Sequence, residues 1–504
     1  MKPLISPKVM RECEAAWFRR TGVPSLAIME RAAEALAACV RENAPAGSSV
    51  FIACGTGGNG GDGLALARLL ADDYRCLAVA PGPPAHPDAV TNLGRALKAG
   101  VAVAERAPGE RPDVWVDALL GTGLSRAPEG AAAALIRRMN GDRRLGSFVI
   151  AADIPSGLDG ATGRAYPDCI AADVTVTFHR IKTGLVLADG LDARGRLATA
   201  DVSFDGGSFG PDDALLLEAE DLARHLPPRS RNVHKGSLGH LLIVAGSRRM
   251  AGASALCAMG ALRSGVGLVT VACPASIMPV LQGLAPQAVY VPLDERDGVL
   301  SDAAARQLEP VFAGKTAAAV GCGLGRMASP EVVRAVLESG LPAAVDADAL
   351  NIISDHPRLS RLLRPCHVLT PHPGEAARLP REASPEAEPM GGLFAQDPLR
   401  RARALAGLGA AVLLKGASTV IVGGDEAYVS ASGCSGMARG GSGDILTGIL
   451  GAFLAEPSDR TPALSAALAS EVHGLAGERA QARYGSRGMN ARDILEFLPE
   501  VLPR

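Results

Sequence analysis

The sequence predicts an α/β protein built as two domains. Three observations carry this reading. Short apolar strands alternate with helical stretches along both halves of the chain, the pattern of a parallel sheet covered on both faces. At 504 residues, the chain exceeds what one hydrophobic core usually organises. Two unrelated glycine-rich turns, GTGGNGGDG at Gly55 to Gly63 and GGSGD at Gly440 to Asp444, each set an Asp ahead of an apolar helical run, which suggests two active sites.

In the first half, Met10 to Asn43 reads as one or two amphipathic helices broken near Gly22 to Pro24. The strands follow as SVFIAC (49–54), RCLAVA (75–80), VWVDALL (114–120), SFVIAADIP (147–155) and DVTVTFH (173–179), with helices from Leu64 and near 88–99 between them. Near-continuous apolar strands belong in a sheet buried on both sides. A Rossmann-like three-layer α/β/α domain is therefore predicted over residues 1–215. Polar and glycine-rich residues then accumulate in DVSFDGGSFGPDD (201–213), and the boundary is placed near 212–222.

From 222 to 504 the same grammar restarts as a second α/β domain. Its strand-like stretches are HLLIVAG (240–246), GLVTVAC (267–273), AAAVGCGLG (317–325), AAVDADAL (343–350), HVLTPHPGE (367–375), AAVLLKG (410–416) and STVIVGG (418–424), with a helix at 251–264. The proline- and glutamate-rich stretch 380–398 is aperiodic and reads as a surface loop.

Composition excludes several classes of function. A net charge of -2 gives no general attraction to nucleic acid or to an anionic membrane, and 3% aromatic residues leave few platforms for stacked bases. Ten cysteines scattered singly, in a chain too long to need staples, fit a reducing cytoplasmic location. No signal peptide or membrane span is expected. Only seven of the 51 basic residues are Lys, so Lys182, Lys235 and Lys415 stand out beside their motifs.

Three strand ends of the first half carry polar groups that would converge at the carboxyl edge of a doubly wound sheet, where open α/β sheets bind ligands. They are Asn59 with Asp62, Asp117 with GTGLSRA, and Asp153 with Ser156. Taken singly, Asp117 and Asp153 also read as helix caps or turn formers. The blocks GTGGNGGDGLALAR, VDALLGTGL, DIPSGLDGATG and FHRIKTGL closely resemble the NAD(P)H-hydrate epimerase, or YjeF N-terminal, family over roughly residues 10–205.

The resemblance implies a potassium ion held by Asn59, Asp117 and Ser156. It implies substrate contacts from Gly58, Asn59, Gly60, Gly61 and Asp62, from Gly121, Thr122, Gly123, Leu124, Ser125, Arg126 and Ala127, and from Asp153. Oxygen ligands suit a hard cation, and Asp153 would serve as general base at C6 of the hydrated nicotinamide ring. Lys182 is left between a substrate-phosphate contact and a solvated surface position. Where the family has Asn-Asn this chain has Gly58-Asn59, so the first Asn side chain's contact is absent.

The second turn suits phosphoryl transfer: Gly441, Ser442 and Gly443 can aim N–H groups at developing negative charge while Asp444 deprotonates a hydroxyl. No Walker A loop occurs. Lys415 and Gly416 end an apolar strand where a cation and close backbone approach would meet phosphates, or where a surface lysine would simply be solvated. His372 reads as either structural or ligand-contacting, and Asp346 and Asp348 as arranging Mg²⁺ or capping the next helix.

The blocks HKGSLGHLLIVAGS, GCGLG, DADALN, LTPHPGE, LLKGASTV and ARGGSGDILTGILGAFLA strongly resemble the ADP- or ATP-dependent NAD(P)H-hydrate dehydratase, or YjeF C-terminal, family, whose fold is ribokinase-like, over about residues 225–502. This implies that Ala253, Gly323, His372 and Asp444 bind the hydrate and that Lys415, Gly416, Ala417, Ser418, Thr419 and Gly443 hold the adenine nucleotide.

Together the two resemblances imply a bifunctional repair enzyme for NADHX and NADPHX, with K⁺ in the first domain and Mg²⁺ with ADP or ATP in the second. Asp153 and Asp444 are its expected catalytic residues, and a cytoplasmic homo-oligomer binding neither nucleic acid nor membrane is expected. Left open beside it is a ribokinase-like small-molecule kinase with a non-catalytic N-terminal ligand-binding module.

Overall fold

A computed structural model describes residues 1–204, 213–380 and 397–503. The chain divides into two compact units, Pro3–Ala214 and Leu215–Arg504, the latter joined by Met1–Lys2. The polar segment around 205–212 and most of the expected surface loop, 381–396, lie outside the described residues. No helix among the described residues is long and apolar enough to cross a membrane.

Among the described residues the first unit holds nine strands: β1 (Lys2–Ile5), β2 (Ser49–Cys54), β3 (Arg75–Val79), β4 (Ala102–Ala104), β5 (Val114–Ala118), β6 (Phe148–Ala152), β7 (Val174–Phe178), β8 (Ile181–Lys182) and β9 (Arg196–Ala200). Seven form one parallel sheet in the order β4-β3-β2-β5-β6-β7-β9. Side chains alternate between its faces. Val50, Ile52, Val114 and Val116 pack with Leu36 and Val40 of the helix Ser25–Asn43 and Leu66 and Leu70 of the helix Gly58–Leu70. Phe51, Trp115 and Val149 face the other way, onto Ile136 and Met139 of the helix Gly130–Arg144.

Connections run outward to β4 and then return to β5, so the order reverses between β2 and β5. Ligands of open α/β sheets bind outside the carboxyl ends of the strands at such a switch point.

The helix expected from Leu64 begins six residues earlier, at Gly58, so the glycine turn is itself the first helical turn. The reason is packing. A Cβ on Gly60 would sit 1.8 Å from the Gly55 carbonyl oxygen, and one on Gly63 would sit 2.8 Å from Ala118 Cβ. The weak helix propensity of glycine is outweighed here by close approach of helix to strand.

The second unit carries β10 (Leu215–Leu216), β11 (His240–Val244), β12 (Leu268–Pro274), β13 (Val289–Leu293), the small hairpin β14 (Glu295–Arg296) and β15 (Val299–Leu300), β16 (Ala317–Val320), β17 (Ala343–Val345), β18 (His367–Leu369), β19 (Ala411–Leu414), β20 (Thr419–Gly423) and β21 (Glu426–Ser430). Within this unit the main sheet runs β13-β12-β11-β16-β17-β18-β19-β20-β21-β10. It is parallel through β19 and antiparallel across β19, β20 and β21.

One face, with Leu241, Ile243 and Ala319, packs on the helices Ala251–Arg263, Ser442–Ala455 and Pro462–Gly488. The alternate residues Leu242, Val244 and Val345 are equally buried, so the sheet is covered on both sides. The strand expected across 343–350 stops at Val345, and Ala347–Asp355 is helical.

Candidate active sites

In the first unit the loops after β2, β5 and β6 line a cleft of about 530 Å³ together with the helix Pro7–Thr21. Of the expected contact residues, Gly58, Asn59, Asp62, Gly121, Thr122, Gly123, Leu124, Ser125, Arg126 and Asp153 line it. Gly60 and Gly61 are buried away from the cleft lining, where Gly61 would meet Met29 Sδ at 2.7 Å if it carried a Cβ. Ala127 is likewise not among the lining residues. Both glycines are held by close packing, Gly60 against the Gly55 backbone and Gly61 against Met29.

Asp153 follows β6 with φ at +66°, in the left-handed region that non-glycine residues rarely occupy. Its Oδ1 accepts hydrogen bonds from Thr177 Oγ1 at 3.1 Å and the Phe178 amide at 3.1 Å, and it is ion-paired to Lys182. Lys182 is 1% exposed, which removes the solvated-surface alternative, and its ammonium also donates to the Phe178 carbonyl at 2.8 Å. Neither Asp153 nor Asp117 caps a helix, but Asp117 does form a turn, its Oδ1 accepting from the Leu119 amide two residues on. Burial, with the charges of Asp153 and Glu14 adding to it, holds the Asp62 carboxyl well above its ordinary range.

Asp117 lies beneath the cleft and is fully buried. Its carboxylate accepts from the Ser156 amide at 2.7 Å, Ser156 Oγ at 2.6 Å and the Leu119 amide at 3.2 Å. Burial lifts its pKa to about 6 despite these bonds. Asn59 borders the same loop, its Cγ 3.4 Å from where a Gly121 Cβ would stand, and its Nδ2 is buried without a hydrogen-bond partner. Sequence reasoning missed Glu14, which lines the cleft from the helix Pro7–Thr21, because a lone Glu in an amphipathic helix carries no motif.

In the second unit consecutive strand ends converge. Lys415, after β19, pairs with Asp346, after β17, at 2.7 Å, and Thr447 Oγ1 donates to the other Asp346 oxygen at 2.6 Å. Asp346 sits at the N-cap position of the next helix yet makes no side-chain cap bond, so the capping alternative does not hold for it. Burial opposes its charge, but Lys415 keeps the carboxyl below its usual value.

Gly443 stands against this pair, with a hypothetical Cβ 3.4 Å from Lys415 Nζ and 3.8 Å from Asp346 Oδ2. The helix Ser442–Ala455 opens on Gly441 at φ +98°, which puts Asp444 in its first turn. Burial, reinforced by Asp346, raises the Asp444 carboxyl to about 6. Cys322 in GCGLG is fully buried and interacts with Asp444, a contact that no spacing rule signalled.

Gly323 packs on Ala253, with a hypothetical Cβ 2.8 Å from Ala253 Cβ. Gly416, Ala417 and Ser418 form the turn between β19 and β20, and Thr419 starts β20. His372 caps the helix Pro373–Arg378, its Nδ1 accepting from the Gly374 amide at 2.9 Å, with the side chain about half exposed. Its Nε2 lies 3.5 Å from Glu375 Oε1.

A family model described as NAD(P)H-hydrate dehydratase matches residues 241–500, and one described as YjeF-related protein N-terminus matches residues 25–184. The bifunctional NAD(P)H-hydrate repair enzyme of Moorella thermoacetica is 36% identical over 95% of this chain and 93% of its own length. The chain belongs to the family of bifunctional NAD(P)H-hydrate repair enzymes.

The Coxiella burnetii member of that family is 34% identical over 99% of both chains. Among solved structures, an ADP/ATP-dependent NAD(P)H-hydrate dehydratase from Bacillus subtilis, co-crystallised with ATP and Mg²⁺, is 28% identical, covering 57% of this chain and 97% of that one at a TM-score of 0.46. The two family matches fall one in each compact unit.

Proposed function

We propose that the second unit dehydrates the S epimer of NADHX or NADPHX at the expense of ADP or ATP, and that the first unit interconverts the R and S epimers at C6. The observation that carries this is Asp444, a base poised near neutrality in the first turn of a helix whose Gly443 abuts the Lys415–Asp346 pair.

In the dehydratase step Asp444 takes the proton of the C6 hydroxyl as that oxygen attacks the terminal phosphoryl group of the nucleotide. The nucleotide departs one phosphate shorter. Loss of phosphate from C6, pushed by the ring nitrogen, and of a proton from C5 then restores the dihydronicotinamide. The amide groups of the Gly441–Gly443 turn and the Lys415 ammonium stabilise the transferring charge. Ser442 Oγ at this turn is buried and has no partner of its own, which suits a phosphate oxygen.

Mg²⁺ would arrive with the nucleotide and neutralise phosphate charge during transfer, with Asp346 and Asp348 the carboxylates expected to help hold it. Asp346 is already committed to Lys415 and Thr447, and no cluster of three His, Cys, Asp or Glu side chains suited to a metal occurs among the described residues.

Asn59, Asp117 and Ser156 would hold K⁺ in the first unit. Support comes from the Asn59 amide: its two ends are interchangeable by rotation, and turning it puts an unpaired buried oxygen, a cation ligand, where the orphaned Nδ2 stands. Asp153, paired to Lys182, acts as base at C6, and ten free cysteines fit a reducing cytoplasm.

The test supplies purified R and S epimers with ADP and with ATP and follows the return of dihydronicotinamide absorbance. Recovery from both epimers is expected. A phosphorylated hydrate that never regains absorbance would instead identify a kinase.

A further inference from the structure

We infer that Glu14 is a further catalytic residue of the first unit, a carboxylic acid that exchanges a proton with the hydrated ring in partnership with Asp153. This rests on the epimerase reading of that cleft.

Met10, Glu14 and Phe18 are spaced by four on the helix Pro7–Thr21, so they fall on one face, and all three line the cleft that holds Asp153. The helix is fixed in place. Arg11 Nη1 donates to the Thr122 carbonyl of the substrate loop at 2.5 Å, Trp17 stacks edge-on against Phe204 with ring centroids 5.2 Å apart, and Met10 packs with Ile5 and Ala32. A carboxyl group on such an element is pre-positioned rather than swinging on a loop.

The charges facing Glu14 are Asp153 and Lys182 from β6 and β8, Asp62 from the glycine turn, and Arg11 on its own helix. Lys182 is bonded to Asp153, and Asp88 at the same cleft accepts from Ser25 Oγ at 2.5 Å. Burial raises the Glu14 carboxyl above its ordinary range, with Lys182 drawing it back and Asp153 adding to the rise.

Inversion at C6 requires two proton carriers in opposite states. C6 bears a hydroxyl and the ring nitrogen. As the base removes the hydroxyl proton, the C6–N bond breaks to leave an aldehyde, and the nitrogen takes a proton from an acid. Rotation about the C5–C6 bond and reclosure by the reverse steps present the other face, returning each proton to its donor. Asp153, ion-paired to Lys182, is the base. Glu14 is the acid.

The full chain is assayed as wild type, Glu14→Gln and Glu14→Asp, with R and S epimers supplied separately and conversion to dihydronicotinamide followed. Glu14→Gln is expected to slow R-epimer conversion about 100-fold or more in kcat, with the S-epimer rate unchanged. Glu14→Asp should keep activity and move the alkaline limb of the R-epimer pH profile. R-epimer turnover in Glu14→Gln within about threefold of wild type, or an unmoved limb in Glu14→Asp, overturns the assignment. Wild type that leaves the R epimer at its spontaneous rate overturns the epimerase reading itself, and the Glu14 role with it.

Discussion

The two glycine-rich Asp turns look alike in sequence and do different work. In GTGGNGGDG the inner glycines are consumed by packing: Gly60 lies against the Gly55 backbone and Gly63 against Ala118, while the expected base, Asp153, comes from another strand. In GGSGD Gly441, at φ +98°, is also tightly packed, its would-be Cβ 2.7 Å from Leu256 Cδ1, but the other two glycines leave room. Gly440 has nothing near a would-be Cβ, Gly443 faces only the ends of Lys415 and Asp346, and Asp444 stands within the turn itself. Glycine is needed in the first turn chiefly so that a helix can approach a strand, and at Gly443 of the second so that the ends of Lys415 and Asp346 can approach the turn.

The largest effect that would break this contrast is at Asp444. Asp444→Asn should cut dehydratase kcat by about 10²–10⁴-fold, while the same protein still interconverts epimers, as read by chromatographic separation of R and S forms. Equal loss of both activities would mean that the turn supports the fold rather than the chemistry.

Next comes a paired glycine substitution. Gly60→Ala drives a methyl to 1.8 Å from a backbone oxygen and should destabilise the first unit by about 4 kcal/mol or more, visible in thermal unfolding. Gly443→Ala meets only side-chain ends at 3.4 Å and beyond, so unfolding should stay within about 1 kcal/mol while dehydratase activity falls. The contrast fails if the two variants unfold alike.

The pH profile of S-epimer dehydration sharpens it further. Asp444 must be ionised to act, and its pKa is raised to about 6 by burial and by Asp346. Activity should therefore be full above that value and fall about tenfold per pH unit below it. A flat profile down to the ordinary carboxylate range would remove Asp444 as base.

The smallest effect is expected at Gly58, where an added side chain meets nothing within 4 Å. Gly58→Asn should change stability by less than about 0.5 kcal/mol. A gain in epimerisation would show that the missing side chain contributes a contact.

Much of the fold was legible because it is repetitive. The strand SVFIAC is observed at the predicted residues, and the break near Gly22 to Pro24 separates the helices Pro7–Thr21 and Ser25–Asn43. Boundaries beside glycine and Asp were less legible. The GTGGNGGDG helix starts at Gly58 because tertiary packing overrides propensity, and DADAL is helical because the strand ends where Asp346 turns toward Lys415.

The sequence by itself determined the α/β class and the motif-bearing loops, because hydrophobic period and glycine spacing are local properties of the chain. Only the tertiary structure decided which polar groups meet. Lys182 with Asp153, Asp346 with Lys415 and Thr447, and Glu14 in the cleft are joined across distant segments. Burial of those groups, which depends on the whole packed unit and on no local pattern, lifts Asp444 into the range where a carboxylate works as a base.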